Sequence, residues 1–132
     1  MNLDWRNVLA VALGGSAGSV LRYLIGIATL QWFGPNFPWG TMFINVSGSL
    51  AIGLVGELAL GRAFGMTNAM RLFLMVGILG GFTTFSAFSL EGLGLMANRS
   101  PVVALGYVGG SVVLGLVACY AGIVLGRFLM HL

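Results

Sequence analysis

The chain has 132 residues, of which 58% are hydrophobic and only 7% are charged, and its mean hydropathy is +1.02. Soluble domains carry about a quarter charged residues, so this composition excludes a soluble protein and indicates an integral membrane protein. The net charge is +3. However, the arginines are scattered singly at segment ends and form no basic patch, which argues against nucleic-acid binding. No nucleophile set, metal-ligand cluster or phosphate loop is present in the sequence, so we predict no enzymatic activity.

Four apolar runs follow one another, at about residues 8–30, 39–61, 71–97 and 101–127. Each provides the roughly 20 residues that a helix needs to cross the hydrocarbon core. The breaks between them, QWFGPNFP, GRAFGMTN and NRSP, carry turn residues, and in the last of them Ser100 is a candidate cap and Pro101 a candidate first-turn residue. The sequence therefore predicts an all-α membrane protein in which residues 1–132 form a single domain of four transmembrane helices.

An even number of spans places both termini on one side of the membrane. With cytoplasmic termini, Arg6, Arg62, Arg71 and Arg127 lie inside and Arg99 lies outside. This is a modest positive-inside preference for a multi-pass protein of the plasma membrane.

The polar residues near the predicted midplane are all uncharged. Thr41, Asn45 and Ser49 share one face of the second helix, and Tyr107 and Ser111 share one face of the fourth. Such groups often serve only as packing contacts between helices, but a lining of neutral donors is also what an anion pathway requires. The carboxylates of Glu57 and Glu91 and the guanidinium of Arg22 lie toward segment ends, so no deep proton carrier is evident.

The stretch GILGGFTTFSAFSLEG, residues 77–92, interrupts the third run. Two glycines followed by two β-branched threonines weaken a helix, and backbone freed in lipid must line a polar cavity or find a partner within the protein. We therefore predict that the third helix is broken at its centre. Unwound carbonyls can bind Na⁺, and the edges of Phe85 and Phe88, which share a helix face, can contact an anion. Ordinary packing is the alternative role for both rings.

The same stretch carries a family resemblance. GGFTTFSAFSLE resembles the signature of the Fluc/CrcB fluoride channel family, and GGSAGSVLRY, PWGTMFINVSGSLAIG and GYVGGSVVLG extend the likeness to all four helices. The resemblance implies a passive, fluoride-selective channel that exports fluoride from the cytoplasm. It also implies an antiparallel, dual-topology dimer with two pores and a central structural sodium ion (Na⁺).

Site residues follow from the resemblance position by position. The sodium ligands would be the backbone carbonyls of Gly80 and Thr83, and the vestibule arginine would be Arg22. The fluoride pore would comprise Asn45, Thr84, Phe85, Ser86, Phe88, Glu91, Tyr107 and Ser111.

Two positions depart from this pattern. Ala87 stands where relatives often carry a threonine, and Gly115 stands where some carry a serine. The arginine bias also favours one orientation, so the subunit either forms a homodimer despite a weak bias or needs an oppositely biased paralogue. Two other functional classes share this size. One is a four-helix proton-coupled multidrug exporter, and the other is an assembly subunit without transport activity.

Overall fold

The computed structural model describes residues 4–61 and 65–131. Helix α1 spans Trp5–Phe33 and α2 spans Trp39–Leu60. The third span, Asn68–Asn98, consists of α3 (residues 68–82) and α4 (Phe85–Asn98). Helix α5 spans Pro101–Met130.

Within the described residues, four helical spans are long and apolar enough to cross a membrane. The prediction of an all-helical, multi-pass membrane protein is therefore confirmed. Helices α1 and α5 and the third span extend up to three residues beyond the predicted apolar runs, whereas α2 ends at Leu60, one residue before its run ends. Arg62, which the sequence places on the cytoplasmic side, lies outside the described residues.

Local chemistry defines the helix ends. Asp4 caps α1 by accepting a hydrogen bond from the Arg6 N–H at 3.0 Å, and Ser100 caps α5 by accepting one from the Val103 N–H at 3.2 Å. Helix α1 ends at Gly34, whose φ of 73° lies in the left-handed region that glycine adopts most readily.

The helices pack in pairs, α1 against α3, α2 against α5, and α4 against α5. Glycines bring the backbones of the first two pairs together. A β-carbon added to Gly18 of α1 would lie 2.1 Å from the Ile78 carbonyl oxygen, and one added to Gly122 of α5 would lie 2.1 Å from that of Leu50. Backbone contact at this distance tolerates no side chain, as is typical of membrane helices packed through small residues.

The third span departs from a regular α-helix in two places. Over Leu72–Leu79 it widens into a π-helix, a feature that the sequence pattern did not predict. After Gly80–Phe82 the backbone becomes extended, with φ and ψ of −75° and 157° at Thr83 and −150° and 115° at Thr84. Helix α4 then begins at Phe85, so the predicted break at the centre of the third span is confirmed.

Candidate functional site

Asn45 of α2 pairs with the backbone at the break. Its Nδ2 donates to the Thr84 carbonyl at 3.0 Å, and its Oδ1 accepts from the Thr84 N–H at 2.8 Å. A single side chain thus satisfies both backbone groups of an unwound residue, as the membrane interior demands. Because a side-chain amide carries two N–H donors, a second donor of Asn45 remains for another acceptor.

The two threonines of the break also stabilise the neighbouring helix ends. Thr83 Oγ1 donates to the Leu79 carbonyl at 2.9 Å, and Thr84 Oγ1 accepts from the Ala87 N–H at 3.2 Å, which makes it the cap of α4. Ser86 Oγ lies 3.3 Å from Thr84 Oγ1. The TTFS sequence therefore ends one helix and begins the next within two residues.

The break changes the surroundings of two carbonyl groups. In a continuous α-helix the Thr84 N–H would donate to the Gly80 carbonyl, four residues earlier. Here the Thr84 N–H donates to Asn45 Oδ1, so the Gly80 carbonyl loses that partner. The Thr83 carbonyl accepts a hydrogen bond from Arg22 Nη1 at 3.4 Å. Arg22 thus reaches the centre of the third span, although its position in the sequence placed it toward a segment end.

A cavity of about 380 Å³, which we call the central cavity, lies beside the break. The predicted site residues that line it are Asn45, Gly80, Thr83, Thr84, Phe85, Phe88 and Ser111. Ser111 of α5 is only 7% exposed, and its hydroxyl has no hydrogen-bond partner among the described residues. A buried hydroxyl without a partner is costly, so this one is available to a polar ligand in the cavity.

Aromatic rings line the same cavity. The Phe85 and Phe88 centroids are 5.6 Å apart, and Phe88 lies 5.4 Å from the ring of Tyr107. Phe85 is 79% exposed in the single subunit, whereas Tyr107 is completely buried. The two phenylalanines therefore differ in role, because Phe88 packs onto the helix bundle and Phe85 projects away from it.

A second cavity of about 570 Å³ lies on the other side of the break, between the α1–α2 loop and the end of α4. We call it the vestibule. Arg22, Thr84, Ala87 and Glu91 are among the residues that line it. Thr84 lines both cavities, so the unwound residue separates the vestibule from the central cavity.

Glu91 is bonded by two hydroxyl groups. Thr41 Oγ1 donates to its Oε1 and Tyr107 Oη donates to its Oε2, both at 2.8 Å. The family resemblance implied a pore role for Glu91 and Tyr107 but not for Thr41. The i, i+4 spacing of Thr41 and Asn45, which places both on one face of α2, is the sequence pattern that could have identified Thr41. The cluster joins α2, α4 and α5 beside the vestibule.

The structure separates the predicted site residues into groups. Ser86 is exposed on α4, and Tyr107 lies buried behind Phe88. Ala87 faces the vestibule, and a β-carbon at Gly115 would lie 3.5 Å from Ser49 Oγ. That is an ordinary contact distance, so the structure has room for a β-carbon at this position.

Comparison with known proteins identifies the family. Residues 9–123 match the family described as CrcB-like protein, camphor resistance. Over 125 residues, 95% of this chain and 98% of the relative, the chain is 50% identical to the fluoride-specific ion channel FluC of Nitrobacter winogradskyi. It is 47% identical to FluC of Rhizobium meliloti over 92% of this chain and 96% of the relative. It is 46% identical to FluC of Chloroflexus aurantiacus, over 92% of this chain and 96% of that relative. The chain belongs to the CrcB family of membrane proteins.

Proposed function

We propose that this protein is a passive fluoride-selective channel that lets fluoride leave the cytoplasm across a bacterial inner membrane. The relatives at 46 to 50% identity bear the name fluoride-specific ion channel. The observation that carries the proposal is the unwound Thr84, which lines both the arginine-containing vestibule and the central cavity. An ion passing between the two cavities would meet the polar groups gathered at the break.

The groups along this route suit a small, strongly hydrated anion. Conduction requires donors that replace water yet bind weakly enough for the ion to leave. The Ser111 hydroxyl, which has no partner among the described residues, and the second N–H of Asn45 are neutral donors, and the edges of Phe85 and Phe88 carry partial positive charge. Arg22 in the vestibule raises the local anion concentration electrostatically.

A second subunit would complete the site. Phe85, Ser86 and Gly80 are exposed in the single subunit although they lie at the centre of the third span. Polar backbone and hydroxyl groups facing lipid at this depth are costly, which favours a protein partner on this face. The resemblance supplies the arrangement, an antiparallel homodimer with two pores.

Dual topology can be tested by labelling one engineered cysteine. In an Asn98→Cys, Cys119→Ala protein, a membrane-impermeant maleimide applied to intact cells should label about half of the chains if both orientations occur. Labelling of all or none of the chains would instead favour a heterodimer with an oppositely biased paralogue.

The proposed sodium ion would bind the backbone carbonyls of Gly80 and Thr83. Carbonyl oxygens freed by an unwound helix suit a hard cation, and the Gly80 carbonyl has lost its helical partner. Bound there, sodium would offset the partial negative charges of these oxygens. The Arg22 guanidinium on the Thr83 carbonyl would have to give way, since two cations at one oxygen repel. Replacing sodium by choline should therefore lower the thermal stability of the dimer. The loss should be larger in Arg22→Gln than in wild type, because the variant lacks the competing guanidinium. A smaller loss in Arg22→Gln would contradict this competition.

The contacts of the two carboxylates, Glu57 and Glu91, favour a channel over a proton-coupled exporter. Glu57 forms an ion pair with Arg127 at 3.1 Å near the helix ends, and Glu91 is bonded by two hydroxyls. The two mechanisms differ in charge movement. From potassium fluoride-loaded liposomes without a pH gradient, a channel releases fluoride only when valinomycin lets potassium follow. Release that needs a proton gradient and no potassium pathway would favour the exporter, and no release of any anion would favour an assembly subunit.

A further inference from the structure

The border of the vestibule carries a second arginine. Arg99 lies in the turn between α4 and α5 and lines the vestibule together with Arg22. Its Nη2 donates a hydrogen bond to Asn36 Oδ1 in the α1–α2 loop, a residue that lines the same cavity. Arg99 and Asn36 are both exposed, whereas Arg22 is partly buried against the break. The two guanidinium groups therefore occupy an outer and an inner level of one cavity.

Both ends of the Arg99–Asn36 hydrogen bond are attached to well-defined turns. The Arg99 N–H donates to the Leu95 carbonyl at 2.9 Å, and the next residue, Ser100, caps α5. Asn36 lies between Pro35 and Phe37, and the Phe37 ring packs edge-on against Tyr107 at 5.5 Å. The hydrogen bond to Asn36 therefore places the guanidinium at the edge of the vestibule.

The charge balance of the vestibule favours anions. Glu91 is its acidic side chain, and both carboxylate oxygens accept hydrogen bonds from hydroxyl groups. Arg99 donates to a neutral amide oxygen, so its positive charge is not cancelled by that contact. Two arginines, Arg22 and Arg99, against one carboxylate give the vestibule a net positive charge, and a cavity of net positive charge concentrates anions.

We propose that Arg99 is the outer anion-recruiting residue of the vestibule, and that Asn36 is the positioning residue that keeps its guanidinium there. This inference rests on the proposed channel function for its effect on flux, but the accumulation of anions at the vestibule does not depend on conduction. Small inorganic anions as a class are concentrated at this entrance, and selection among them occurs deeper, at the break.

Fluorescence quenching tests the inference without requiring transport. Trp39 lines the vestibule and is 46% exposed, so in a Trp5→Phe, Trp32→Phe protein in nanodiscs the remaining tryptophan lies at this cavity. Iodide quenching of Trp39 at low salt should fall about twofold to threefold in Arg99→Gln, the effect of one unit charge at several ångströms in water. Quenching by neutral acrylamide should not change. Equal iodide quenching in the variant and its parent would overturn the proposal.

Flux measurements separate an electrostatic role from a structural one. At about 20 mM salt a charge acts over roughly 20 Å, and at about 500 mM over roughly 4 Å. Arg99→Gln should therefore slow fluoride efflux at low salt and match wild type at high salt, and Arg99→Lys should behave like wild type. Asn36→Ala, which keeps the charge but frees the guanidinium, should be intermediate at low salt. Arg6→Gln is the matched control, because Arg6 is exposed near the N-terminus and lines neither cavity.

Each outcome bears on the proposal separately from the channel function. A deficit in Arg99→Gln that is equal at both salt concentrations would indicate a structural role and overturn the inference. A wild-type protein that passes no fluoride would refute the proposed function, while the iodide experiment would still decide the role of Arg99.

Discussion

Asn45 and Thr84 exchange two hydrogen bonds, so one amide side chain replaces the helical partners of an unwound residue at the centre of the membrane. This pairing connects α2 to the break and fixes the position of Thr84 between the vestibule and the central cavity. The geometry of the proposed pore therefore depends on a side chain that the family resemblance had assigned to the pore lining.

Replacing Asn45 by alanine should both destabilise the protein and reduce fluoride flux. Each buried backbone group left without a partner costs about 1–3 kcal/mol, and the substitution leaves two such groups on Thr84. Thermal unfolding in detergent and electrode-recorded efflux would measure the two effects. Ser47→Ala is the control, since the Ser47 hydroxyl donates to the Phe43 carbonyl of its own helix, at 2.7 Å, and Ser47 lines neither the central cavity nor the vestibule. Full flux in Asn45→Ala would show that the break does not need this support.

Ser111→Ala should separate stability from conduction. Its hydroxyl is buried without a partner among the described residues, so its removal should leave the free energy of unfolding unchanged or raise it, by at most about 1–3 kcal/mol. If that hydroxyl serves the ion, fluoride efflux at low fluoride concentration should drop by about tenfold, the worth of one hydrogen bond to a charged group. Unchanged efflux would remove Ser111 from the pore.

Isoleucine in place of Phe85 or Phe88 should reduce fluoride flux, because an aliphatic side chain has no positively polarised edge. The two variants should differ in stability. Replacing Phe88, which contacts Tyr107, should lower the free energy of unfolding by about 1 kcal/mol. Replacing Phe85, which is exposed in the subunit, should change that free energy little. Leu90→Ile is the matched control on the same helix, since Leu90 is also exposed and lines neither cavity. Undiminished flux in both phenylalanine variants would rule out the ring-edge contact.

The Glu91 cluster should show coupled energetics. Tyr107→Phe removes the donor to Glu91 Oε2 and should lower the unfolding free energy by about 1.5–3 kcal/mol, the range for hydrogen bonds to charged groups. In a Glu91→Gln background the same substitution should cost less, because the charge is gone. A double-mutant cycle by thermal or denaturant unfolding measures the difference, and strictly additive effects would show that the Tyr107 hydroxyl is not energetically coupled to Glu91.

Gly122→Ala should weaken the packing of α2 against α5. The added methyl group would overlap the Leu50 carbonyl and the Leu54 N–H, which are backbone atoms that cannot rotate away. Overpacking of this kind costs about 1–3 kcal/mol or more. Gly109→Ala on the same helix should be nearly neutral, because nothing lies within 4 Å of its added β-carbon. Similar melting temperatures for the two variants would contradict the close helix contact.

The sequence predicted the features that depend on local chemistry. Apolar run length identified the spans, and the GGFTT stretch indicated where the third span breaks, because glycine and β-branched residues weaken a helix wherever they occur. The cap at Ser100 also followed from neighbouring residues alone.

Features that depend on the relative placement of distant helices were not predictable in this way. The Asn45–Thr84 pairing joins residues 39 positions apart, and the Thr41–Glu91 bond joins residues 50 apart. Whether such groups meet depends on how the helices are rotated and shifted against each other. The reach of Arg22 to the Thr83 carbonyl was missed because a long side chain extends well beyond its own helical turn.

The central claim is that the unwound third span forms a polar route selective for fluoride. The most direct test is to load liposomes containing the purified protein with equal concentrations of potassium fluoride and potassium chloride. Ion-selective electrodes would then follow both anions after the addition of valinomycin. We predict fluoride efflux at least about a hundredfold faster than chloride efflux, which corresponds to a difference of roughly 2.7 kcal/mol between their activation free energies. Equal rates for the two anions, or no fluoride efflux above that of protein-free liposomes, would contradict it.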